Sequence, residues 1–166
     1  MSDFYAGIGS RKTPVNVLEA MTALAAKLEE SGWVLRSGGA NGADTAFERG
    51  VTDPRAKEIF LPWRGFNGSD SPLCEITSEA YAMAKVFHPA WERCSSAARK
   101  FHARNCYQVL GATLQSPCKM IVCWTPNALM TGGTGQALRI AQHHNIRIKN
   151  LADAEVFDAM IEYINS

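Results

Sequence analysis

Short apolar runs alternate with stretches in which apolar residues recur every three to four positions, the pattern of strands separated by amphipathic helices. Phe4 to Ile8 is the first run; it ends in Gly9-Ser10, and Thr13-Pro14 then opens a helix as a cap-and-proline pair. Val17, Leu18, Met21, Leu24, Ala25 and Leu28 keep helical spacing until Ser31-Gly32 stops them. Trp33-Val34-Leu35 predicts a second strand, followed by the loop Ser37-Gly38-Gly39-Ala40-Asn41-Gly42 and a helix from Ala43 to Val51. Glu58 to Leu61 predicts a third strand, and Pro62 to Gly68 an irregular loop.

Helices are expected over Glu79 to Val86 and Glu92 to Leu110, with a break at His88-Pro89. Met120 to Trp124 is the clearest buried strand; a loop from Thr125 to Thr134 then feeds a helix from Gly135 to about His143. Ile146-Arg147-Ile148 supplies the last strand. The closing helix, Asp153 to Ile164, puts Phe157, Met160, Ile161 and Ile164 on one face, with Ala154 one turn earlier. Strands alternating with helices and few hairpin signals predict an α/β fold: one Rossmann-like domain over residues 1–166, with a mainly parallel sheet and helices on both faces.

Length agrees, since 166 residues suit one core. Seventeen Lys and Arg against sixteen Asp and Glu leave a net charge of +1, and this lack of a basic bias argues against a nucleic-acid partner. The opening Met1-Ser2-Asp3-Phe4-Tyr5 has no basic stretch leading into a long apolar run, and no segment has the length of a membrane span, so a cytoplasmic protein with no membrane partner is expected. The cysteines at 74, 94, 106, 118 and 123 show no CxxC and no paired spacing, which predicts reduced, mostly buried thiols. His143-His144 point in different directions on a helix, and His88 and His102 lack a carboxylate or Cys at a nucleophile's spacing; no metal and no catalytic triad is expected.

The chemistry concentrates in loops after strands, where open α/β sheets bind ligands. Glycine admits a phosphate close to the backbone, and a helix N-terminus offers unpaired N–H groups. Ser37 to Gly42 and Thr131-Gly132-Gly133-Thr134-Gly135 both have that form, and Arg11 adds a forked phosphate donor beside Gly9-Ser10. Trp63 suits stacking on a nucleobase and Arg64 another phosphate, whereas Trp91 fits the core as well as a site.

Gly9-Ser10-Arg11, Gly38-Gly39-Ala40-Asn41-Gly42-Ala43-Asp44, Trp63, Arg104-Asn105 and Gly132-Gly133-Thr134, in this order, resemble the SLOG superfamily, nearest its YspA-like branch. The segment Ser37 to Asp44 resembles the SGxxxGxD signature of DprA-like members; Arg104 and Gly132 to Gly135 resemble elements of the LOG phosphoribohydrolases. The resemblance implies a nucleotide-like ligand, a homo-oligomer, and ligand-facing roles for Arg104, Asn105, Thr125 and Gln136, with no cofactor. It also implies a departure: Arg139 stands where LOG enzymes carry their catalytic Glu, and a guanidinium cannot act as general base near neutrality. Asp44 and Glu48, one helical turn apart, are the remaining carboxylates for an enzyme, although Asp44 can equally hydrogen-bond its own loop.

The expected function is therefore binding of a phosphate-bearing, nucleotide-derived small molecule such as an ADP-ribose or cyclic nucleotide signal, as a sensor or a sequestering sponge. A nucleoside-monophosphate N-glycosidase is the alternative, and DprA-like binding of single-stranded DNA a further one.

Overall fold

The computed structural model describes residues 2–166; Met1, the first residue of the opening segment considered above, lies outside them. Strands β1 (Asp3–Gly7), β2 (Trp33–Ser37), β3 (Lys57–Ile59), β4 (Met120–Cys123) and β5 (Arg147–Asn150) form one sheet in the order β3-β2-β1-β4-β5, with every pair parallel. Helices α1 (Val15–Glu30), α2 (Ala43–Gly50), α3 (Ser78–Phe87), α4 (Ser96–Leu110), α5 (Gly132–His143) and α6 (Ala154–Ile164) cover its two faces. This is a Rossmann-like arrangement. The strand order reverses between β1 and β4, the switch point at which such sheets open a crevice.

The two faces follow from the alternation of side chains along each strand. On β1 and β4, Ala6, Ile121 and Cys123 join the core beneath α3, α4 and α5, while Tyr5 and Val122 join the core beneath α1, α2 and α6. Because both faces are covered, β1 and β4 are mostly apolar, whereas β2 ends in buried Arg36 and Ser37. The helices α1 and α2 approach so closely at Gly50 that a Cβ there would lie 2.2 Å from the Thr22 carbonyl oxygen, so only glycine permits this packing.

Most boundaries agree with the periodicity to within a few residues, and the departures have physical causes. The long helix predicted from Glu92 starts at Ser96, where the Ser95 hydroxyl caps the Ala98 amide; Trp91–Arg93 forms a separate 3₁₀ turn. Helix α5 starts at Gly132 rather than Gly135, placing the glycines in its first turn rather than in the preceding loop. On α6 only Met160 is fully buried and Ala154 is exposed, because the helix lies at the margin of the core. Trp91 is buried, with the Arg99 guanidinium over its ring at 5.1 Å. All five cysteines are free, and Cys106, Cys118 and Cys123 are buried. Among the described residues no helix is long and apolar enough to cross a membrane.

Candidate functional site

A cavity of about 550 Å³ opens at the C-terminal ends of β1, β2 and β4. Its wall from the β1 loop is Ile8, Gly9, Ser10, Arg11 and Lys12; Ala40 and Asp44 come from the β2 side, and Thr131 to Thr134 from the start of α5. Helix α4 supplies Ala98, Phe101, His102, Arg104, Asn105 and Gln108. The volume lies in the range of small-molecule sites.

Two buried groups of opposite charge, Asp44 and Arg104, line the cavity. Asp44, in the first turn of α2, accepts a hydrogen bond from the Ala40 amide at 3.2 Å. Burial outweighs the Arg104 charge and that hydrogen bond, pushing its carboxyl up to about 6. Arg104 is pulled down to about 10, first by burial. Its Nη1 donates to the Gly38 carbonyl and, at 3.1 Å, to the Phe60 carbonyl, tying α4 to the ends of β2 and β3. The Gln108 and Arg104 side chains close over Gly38, where a Cβ would lie 2.1 Å from Gln108 Nε2 and 2.5 Å from Arg104 Nη1 and would have to displace them. The first glycine loop thus already directs an amide to a carboxylate of its own chain.

The second glycine stretch is different. The amides of Gly132, Gly133 and Thr134 have no hydrogen-bond partner among the described residues, and Gly133 has open space where a Cβ would stand. Asn105 Nδ2 donates to the Gly133 carbonyl at 3.0 Å and holds this turn against α4. The unpaired amides and the helix dipole leave a partial positive charge here, lining the same cavity as exposed Arg11 and Lys12. Gly135, by contrast, serves packing, since a Cβ would meet the Met130 backbone at 2.6 Å.

The structure therefore brings Gly9, Ser10, Arg11, Ala40, Asp44, Arg104, Asn105, Gly132, Gly133 and Thr134 to one cavity. Gly39, Asn41 and Gly42 shape the loop behind it, with Gly39 and Gly42 at φ of 70° and 91°. Thr125 is buried and paired with Asn150, its hydroxyl accepting from Nδ2 at 2.7 Å. Gln136 is buried; its Nε2 donates to the Ala84 carbonyl, and its Oε1 accepts from Arg139. Arg139 also donates to the Phe87 carbonyl, so it anchors α5 to the end of α3. Glu48 faces away from the cavity, 3.6 Å from Lys57 Nζ, and Arg64 is exposed outside it. Trp63 stands one ring beyond the wall, edge-on to Phe101 at 5.2 Å.

Sequence reasoning missed Lys12, Phe101, His102 and Gln108. The spacing Ala98, Phe101, Asn105, Gln108 is one helical face, the signal that would have linked them. A further correction concerns the histidines. The structure places the His88, Cys94 and His102 ligand atoms within 4.8 Å of one another, so these histidines do have a cysteine neighbour, supplied by the break between α3 and α4. The His102 Nδ1 is buried without a partner, and burial lowers this imidazole to about 4.

No protein-family model and no curated protein sequence matches the chain. Among solved structures it is similar to DNA processing protein A from Helicobacter pylori, a structure described for its single-stranded DNA binding mode. The TM-score is 0.59 and the identity 17%, covering 98% of this chain and 79% of that one. The likeness is one of fold. It also overturns the expectation that set nucleic acid aside, since the neighbour of similar fold is one that binds single-stranded DNA.

Proposed function

We propose that the chain binds a phosphate-bearing nucleotide ligand in the cavity at the C-terminal ends of β1, β2 and β4, with a phosphate at the first turn of α5. The observation that carries this reading is the set of unpaired amides at Gly132, Gly133 and Thr134, facing a cavity that also holds Arg11 and Lys12. The ordered SLOG-like motifs support the same reading, with a nucleotide-derived signal as ligand and a homo-oligomer as the assembly. Sensing or sequestration fits better than LOG-type hydrolysis, because the resemblance puts Arg139 where those enzymes carry Glu, and Arg139 anchors α5.

Single-stranded DNA is the second reading, favoured by the likeness to DNA processing protein A and by Trp63 and Phe101, aromatic rings in edge contact beside the phosphate wall. Base release by Asp44 is the third, since a buried carboxyl near pH 6 is suited to proton transfer.

One experiment separates them. The protein is incubated with mononucleotides, NAD derivatives, cyclic ADP-ribose isomers and short oligodeoxynucleotides, recovered, heat-denatured, and the released material identified by chromatography and mass spectrometry. Intact small ligand at one per site is expected. Recovery of oligonucleotide alone would establish the DNA reading, and free base beyond the protein concentration would establish turnover.

A further inference from the structure

Cys94 lies in the short connection between α3 and α4, eight residues before His102 and six after His88, and no sequence spacing marks these three residues as partners. The fold brings them together because the chain leaves α3 at His88, makes the 3₁₀ turn Trp91–Arg93, and enters α4 so that His102 stands in its second turn. Cys94 Sγ is 3.8 Å from each of His88 Nδ1 and Nε2, and one ligand atom from each of the three residues lies within 4.8 Å of the others. Ligand atoms around one tetrahedral ion with Zn–N of about 2.0 Å and Zn–S of about 2.3 Å stand at similar separations.

We propose that His88, Cys94 and His102 form a binding site for a divalent transition metal of the zinc class, beside the cavity and independent of what the cavity binds. Two imidazoles and a thiolate are a borderline-to-soft donor set, suited to zinc or its cobalt substitute rather than to magnesium or calcium, which take oxygen.

A second, independent observation points to a ligand. His102 Nδ1 is buried with no hydrogen-bond partner among the described residues, a condition that protein interiors rarely tolerate and that coordination through this nitrogen would remove. His88 Nδ1 accepts from the Ala90 amide at 3.0 Å, and Cys94 Sγ contacts the Ala90 carbonyl at 3.5 Å. A metal taking that nitrogen displaces the Ala90 amide, and one taking the sulfur releases the Cys94 proton to solvent, leaving a metal–thiolate bond with no change of oxidation state. Three protein ligands leave a fourth position of a tetrahedral ion for water or another oxygen donor. His102 also lines the cavity, which puts the metal at its wall.

Cobalt(II) titration of the metal-stripped, reduced full chain tests this. One equivalent should produce the d–d bands of tetrahedral cobalt together with a thiolate-to-cobalt charge-transfer band, and zinc should displace it. Cys94→Ser should abolish the charge-transfer band, and His102→Ala should weaken binding at least tenfold. Cys74→Ser, which alters the other half-buried thiol, should change neither. Far-ultraviolet circular dichroism of each variant confirms that it is folded, so that lost cobalt signal reports the ligands. Absence of stoichiometric cobalt binding to the parent, or a charge-transfer band that survives in Cys94→Ser, would overturn the site. No nucleotide enters the experiment, so its failure leaves the proposed function untouched, and failure of nucleotide binding leaves this site untouched.

Discussion

At the scale of single residues, the cavity separates side chains that hold the fold from groups free to meet a ligand. Arg104 belongs to the first kind despite its ligand-facing place in the motif: its hydrogen bonds to the Gly38 and Phe60 carbonyls are buried. Arg104→Ala should therefore destabilise the protein by about 3 kcal/mol, the cost of leaving buried acceptors unpaired, read from urea unfolding. Arg11→Ala, at an exposed position, should leave stability within about 0.5 kcal/mol and weaken a phosphate ligand severalfold. Asp44 gives a pH signature. Its folded-state carboxyl sits at about 6, above its ordinary 3.8, so the folded chain holds the proton more tightly than the unfolded one. The stability this contributes is fully present below about pH 4 and is lost as pH rises through about 6, by about 3 kcal/mol. Asp44→Asn keeps an oxygen for the Ala40 amide and carries no charge; it should match the parent near pH 4 and exceed it near pH 8 in unfolding free energy. A less stable Asp44→Asn at the higher pH would mean that the carboxylate's hydrogen bonds outweigh its burial.

At the scale of elements, the start of α5 decides between the two glycine stretches. In sequence they look alike. The β2 loop is used internally by Asp44 and closed over by Arg104 and Gln108, whereas the first turn of α5 keeps its amides unpaired. Stability and binding should then come apart along one helix. Gly133→Ala, with open space at its Cβ, should raise stability by about 0.5 kcal/mol, while Gly135→Ala, pressed against the Met130 backbone, should lower it by about 1 to 3 kcal/mol. Gly133→Asp should fold and lose phosphate affinity, because it sets a negative charge at the helix N-terminus where the ligand's own charge would lie. Thermal melts paired with calorimetric titration of the successful ligand would check all three. The helix start itself was misjudged from sequence by three residues, since glycines read as loop wherever tertiary contacts do not stabilise them as helix. Asn105, bonding to the Gly133 carbonyl from α4, is such a contact.

At the scale of the whole molecule, the strand order β3-β2-β1-β4-β5 places the loops after β1, β2 and β4 around one crevice, and DNA processing protein A, which is similar in fold, binds single-stranded DNA. Salt dependence distinguishes the partners: a single strand held through several phosphates loses affinity by roughly 0.7 per phosphate in log–log slope, while a mononucleotide at one helix terminus shows a shallow slope. The sequence by itself determined the fold class and the two-faced core, because hydrophobic period and turn residues are local properties read within a few positions. It also pointed to the loops after the strands, where the cavity opens. Only the tertiary structure decided which glycines pack and which stay open, that Arg104, Thr125 and Gln136 are held by buried hydrogen bonds, and that Glu48 and Arg64 lie outside the cavity. It alone joined His88 and Cys94 to His102. Each of these depends on residues far apart in the chain or on the direction of a side chain, and neither a one-residue propensity nor a spacing carries that information.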